Sequence, residues 1–88
     1  MPAFHGRRTG APVDARVEWR SEHRHAETPV AVTADGDRHE VEVIERWVEG
    51  PAVAGGLVVH CFVVRAAAGA SWLVRSDSGG AVTVASVQ

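Results

Sequence analysis

The feature that most constrains this chain is an alternation with a period of two, clearest in VDARVEWR at residues 13–20. Val13, Ala15, Val17 and Trp19 fall on one side of an extended chain, and Asp14, Arg16, Glu18 and Arg20 on the other. That is the pattern of a β-strand with one buried face. β-Branched residues mark a second strand in TPVAVT at 28–33, alternation returns in HEVEV at 39–43, and the chain closes with AVTVASV at 81–87. Almost nothing carries the 3.6-residue period of an amphipathic helix.

The punctuation between these runs predicts how they join. ADGD at 34–37 places Asp-Gly between two strands, a hairpin signal because glycine accepts the positive φ that tight turns demand. SEHRHAE at 21–27, GPAVAGG at 50–56, AAAG and DSGG read as further loops. LVVHCFVVR at 57–65 is too continuously apolar for a one-sided strand, so it belongs at the centre of the sheet or inside a barrel. With 88 residues there is room for one core. The expected fold is all-β, a small SH3-like, partly open barrel of five to six antiparallel strands over residues 13–88, preceded by a flexible arm at 1–12.

HEVEVIERW at 39–47 breaks its own alternation at Ile44. A β-bulge at Ile44-Glu45 would bend the strand as barrel closure requires, leave Val41 and Val43 inward, and turn Trp47 onto the core or its rim. The alternative is that the strand ends at Ile44 and Trp47 caps the barrel from a loop.

Charge and cysteine content narrow the setting. The formal net charge is -2, with a pI near 6.2. Residues 1–25 hold five arginines against Asp14, Glu18 and Glu22, whereas residues 26–88 hold four against eight acids, so a mildly basic arm precedes an acidic body. Lysine and asparagine are absent, a bias of GC-rich coding that makes the arginines only partly a recognition device. Cys61 is the single cysteine, which excludes an intrachain disulfide and points to a reducing, cytoplasmic compartment. No run reaches the ~20 apolar residues of a membrane-spanning helix, so no membrane association is expected.

The search for chemistry yields candidates and no reaction motif. His23 and His25, joined by His39 or His60, could give zinc three nitrogens, but no HExxH and no cysteine pair accompanies them; no metal and no cofactor is expected. Cys61 and His60 are neighbours on a strand and so point to opposite faces, which makes Cys61 a buried structural thiol. Glu40 and Glu42 alternate onto an exposed face. Arg7, Arg8, Arg16, Arg20 and Arg24, with Trp19, form the one grouping suited to nucleic acid. Trp19 is in phase with core residues, and a barrel this small needs Trp19, Trp47 and Trp72 as filling.

Taken in succession, HEVEVIERW, CFVVR, SWLVRSDSGG and the final VTVASV resemble the DUF6504 family, small bacterial domains found alone and at the C-terminus of some Y-family polymerase-like proteins. The resemblance covers residues 29–87. Where that family carries an aromatic pair after the first tryptophan this chain has GPAVAGG, and the aromatic of the last strand is Val82 or Val84. The resemblance implies an SH3-like barrel and a link to DNA-damage tolerance; it implies no catalytic residue.

The expected function is therefore that of a non-enzymatic cytoplasmic interaction module, monomeric or homodimeric, with a protein partner and an accessory place in DNA repair or lesion bypass. The partner surface is expected in the loops at 21–28 and 48–56, with His23, His25, Glu49 and Pro51. The alternatives are weak nucleic-acid binding by the N-terminal arginines and a small histidine-based zinc domain.

Overall fold

The computed structural model describes residues 9–21, 28–50 and 56–87. They form seven strands: β1 (Thr9–Pro12), β2 (Ala15–Arg20), β3 (Thr28–Ala34), β4 (Asp37–Glu49), β5 (Val59–Ala66), β6 (Ser71–Asp77) and β7 (Val82–Val87). From β2 to β7 each strand pairs antiparallel with the next, and β1 pairs antiparallel with β7, giving the order β1-β7-β6-β5-β4-β3-β2. The two edge strands are thus separated in sequence by Val13 and Asp14 alone. A sheet whose edges are tethered so closely must curl, and the result is a partly closed all-β barrel. The last rung of its closure is the Val13 N–H donating to the Val84 carbonyl at 2.8 Å.

Thr9–Pro12 differ from the expected arm over 1–12, since they are a strand and structure begins before Pro12. Glycine and proline suggested a loop there. Both have a positional role instead: a Cβ on Gly10 would meet the Ser86 hydroxyl, so glycine lets β1 lie against β7 without turning that side chain away. Pro12 lacks an N–H, a loss an edge strand tolerates. Residues 1–8 lie outside the described part.

The hairpin expected at 34–37 is present. Asp35 has φ 53° and Gly36 φ 82°, the two consecutive positive angles of the turn that matches right-handed strand twist. β4 then runs through the predicted break without ending. Val43 pairs with Val64 and Glu45 with Val63, so Ile44 is the extra residue of a bulge. Before it, Val41 and Val43 pack on the barrel interior; after it, Trp47 pairs with Cys61 on the outer face.

β5 is fourth of seven in the sheet order, and the reason for its unbroken apolarity is visible: both its faces are buried. Phe62, Val64 and Ala66 point inward to Val32, Ala34, Trp72, Val74 and Val84, with Trp19 packed against them. Cys61 and Val63 point the other way and, with Leu73, form a second buried cluster under Ile44, Trp47, Val59 and Val87. Trp72 is core filling, whereas Trp47 belongs to this outer cluster. Each fully buried valine contributes roughly 1.5–3 kcal/mol of burial free energy, so the outer cluster adds materially to a small core. No helix among the described residues is long and apolar enough to cross a membrane.

Candidate functional site

The inner face of the sheet loses its cover toward one end, and the strand register explains what is exposed there. Val48 pairs with His60, His60 with Ser76, and Ser76 with Val82, forming a row across four strands. One row deeper, Arg46, Phe62, Val74 and Val84 are matched in the same way. Phe62, Val74 and Val84 are buried in the interior, but Val48 is 57% exposed and Val82 43% exposed. Leu57, 55% exposed, reaches the same end. It precedes Val58, whose carbonyl accepts from Ser78 N–H at 2.9 Å and whose N–H donates to Ser78 Oγ at 3.2 Å. The turn beside it is fixed by Asp77 Oδ1, which accepts from the N–H groups of Gly79 (2.8 Å) and Ala81 (3.0 Å).

Arg46 forms the boundary between this open mouth and the core. Its guanidinium lies 5.4 Å from the Phe62 ring centroid and donates to Thr28 Oγ1 at 3.1 Å. A cation over an aromatic face keeps its charge in contact with water while covering apolar surface. Trp19 meets Phe62 edge-on, at 5.8 Å between centroids and 69° between planes. The mouth is therefore apolar at Val48 and Val82, polar at His60 and Ser76, and rimmed by a cation, with Leu57 exposed at the same end beside Gly79.

The predicted arginines divide. Arg7, Arg8 and Arg24 lie outside the described residues, as do His23, His25 and Pro51. Arg16 and Arg20 are exposed on β2, opposite in phase to Trp19, so the three do not form one stacking surface. Between them Glu18 accepts from Arg38 at 2.7 Å and 3.1 Å, and Arg38 also lies 3.6 Å from Glu40. The hydrogen bond from Arg38 holds the Glu18 carboxyl below its usual range. Among the described residues this outer face mixes both signs and is no continuous basic stripe.

Glu49 stands at the end of β4, not in a loop. Its carboxylate accepts from the Trp47 indole N–H at 3.1 Å and from Arg75 at 2.6 Å. The indole hydrogen bond and then the arginine charge hold it below the ordinary carboxylate range. These partners commit Glu49 to the outer face of the sheet. Beneath it Cys61 is fully buried, and burial, reinforced by the Glu49 charge, pushes its thiol up. A thiol held protonated is a poor nucleophile, in keeping with a structural role. His60 projects from the opposite face.

His39 packs on Trp72 with ring centroids 5.4 Å apart. It lies nine positions along β4 from Val48, the partner of His60, so His39 and His60 belong to opposite ends of the barrel. Among the described residues no group of three His, Cys, Asp or Glu is placed to hold a metal ion. Glu40 and Glu42 are exposed, as their alternation implies, and border an open groove of about 650 Å³ with Arg65 and Ala66.

No family model, curated protein or solved structure matches this chain. The resemblance to the DUF6504 family rests on the quoted motifs alone.

Of the three apolar residues at the mouth, only Val48 falls within the partner loop expected at 48–56; Leu57 and Val82 lie outside it. Val82 continues the apolar alternation of the last strand and Val48 stands beside the apolar Trp47, so nothing in the local pattern tells how far either is uncovered. Their exposure arises from the register of four strands, which no local pattern encodes.

Proposed function

We propose that the chain is a non-enzymatic protein-interaction module that binds a protein partner through the open end of its barrel. The observation that carries this reading is that the large exposed apolar residues among those described, Val48, Leu57 and Val82, gather at that one end. Apolar side chains grouped beside a polar rim are the composition of a binding surface. The likeness to DUF6504 supports an accessory place in a DNA repair or lesion-bypass assembly, and the single buried thiol is in keeping with a cytoplasmic setting.

The test replaces all three residues by serine (V48S/L57S/V82S). Because each is exposed, folding should change by only about 0.5 kcal/mol per site. A partner captured from an extract of the source cell by the wild type, then purified and rebound, should fail to bind the variant. A partner that binds both equally rules out this surface. Arg16 and Arg20 support a second, weaker reading as nucleic-acid contacts. That reading requires binding to labelled DNA that falls with salt and with arginine replacement.

A further inference from the structure

Among the described residues the barrel wall is incomplete between β2 and β7. Beyond the Val13 to Val84 rung, β2 pairs with β3 alone among the described residues, and Val82 and Thr83 of β7 pair with β6 alone. Burial records the gap. Ala15, Val17 and Trp19 face the interior from β2 yet are only half-buried, whereas Phe62, Val64, Trp72 and Val74 on the central strands are buried. Val82, the exposed residue at the end of the mouth row, stands on the far side of the slit. An edge strand carries a row of backbone N–H and C=O groups ready to pair with another chain.

The charges on this edge select its occupant. On the outward side of β2, Arg16 and Arg20 are exposed and have no carboxylate partner among the described residues, while Glu18 between them is occupied by Arg38. A second copy of β2 paired antiparallel about Glu18 would set Arg16 against Arg20, and like charges on adjacent strands repel; the shifted registers that bring its Glu18 to an arginine compete with the Arg38 pair that Glu18 already makes. A strand bearing Asp or Glu on its outward side would meet Arg16 and Arg20 favourably. Its inward side would meet Val17, Trp19 and Val82, which favour apolar residues.

We propose that the partner supplies an extended segment, apolar and acidic in alternation, that adds as a strand along the free edge of β2 and closes the slit toward β7. This rests on the protein-binding reading and names the chemistry of what is bound. The segment spans the six residues of β2.

The test uses the full chain and a fluorescent peptide of about eight residues alternating valine and glutamate, long enough to cover one strand. Binding is read by anisotropy and mapped by amide chemical shifts. The expected result is binding with shifts confined to β2 and 82–84, weakened about tenfold in R16E/R20E, whose two lost charge pairs are surface-exposed. A valine–lysine peptide should bind no better than that. N-methylating alternate peptide amides should weaken binding about a hundredfold, as roughly three edge hydrogen bonds are lost. Equal binding of all peptides, binding of none, or concentration-dependent dimerisation through β2 overturns the proposal. Shifts confined to Val48, His60 and Leu57 overturn strand addition while leaving the open-end surface standing, which separates the two failures.

Discussion

Val63 and Val64 are adjacent, both fully buried, and point to opposite faces of β5. In a sheet with one wet face, only the inward one would matter. Here Val64→Ala and Val63→Ala should cost alike. Each substitution removes the equivalent of about two methylene groups at roughly 0.8 kcal/mol apiece, and the unfilled cavity raises the total to about 2–3 kcal/mol. Against a stability of about 5–15 kcal/mol that is a large loss. Urea unfolding followed by tryptophan fluorescence reads it: with a slope of about 1–1.5 kcal/mol per molar for so small a domain, each midpoint should fall by about 2 M. Val48→Ala, at an exposed site, should stay within about 0.5 kcal/mol of wild type. If Val63→Ala behaves like Val48→Ala while Val64→Ala does not, the outer cluster is no core and the reasoning fails.

Three other outcomes follow from named contacts. The Glu49 carboxyl is lowered from 4.5 by Trp47 and Arg75, so its contribution is complete above the unfolded value and lost as pH falls through the lower folded value. The urea midpoint of Glu49→Gln should therefore fall less between about pH 5 and about pH 3 than that of wild type, and parallel curves would contradict this. The Cys61 thiol should react with a disulfide reagent on the order of a hundredfold more slowly in the folded chain than in urea, and reaction at the free-cysteine rate would show that it is not buried. Gly36→Ala, at φ 82°, should cost about 1 kcal/mol in the same urea assay; a neutral result would mean that the turn adopts another conformation.

Much of the fold is legible in the sequence because strand alternation and turn chemistry are local. Asp35-Gly36 announces its hairpin, the unbroken run around Cys61 announces the central strand, and the lapse at Ile44 announces the bulge. β1 was not legible, since TGAP carries loop residues whose value as a strand depends on Ser86, far away in sequence. The outer cluster was only half legible. The apolarity of β5 implied two buried faces, but that Trp47 covers the outer one follows from how the bulge resets its pairing with β5. For the same reason Glu49 read as a loop residue, although its partner Arg75 holds it to the sheet. The open mouth and the slit are properties of register and closure, so the candidate site could be found only once the strands were placed.

The most direct test of the account places a photo-crosslinking amino acid at Val82, beside both the mouth and the slit, and separately at Glu42, exposed on β4 away from them. Crosslinking in the source cell should join the Val82 probe to one protein, with the adduct mapping to an extended acidic and apolar segment, and leave the Glu42 probe without that adduct. Adducts of equal yield from both positions, or none from Val82, would contradict the claim that this end of the barrel is where the protein binds its partner.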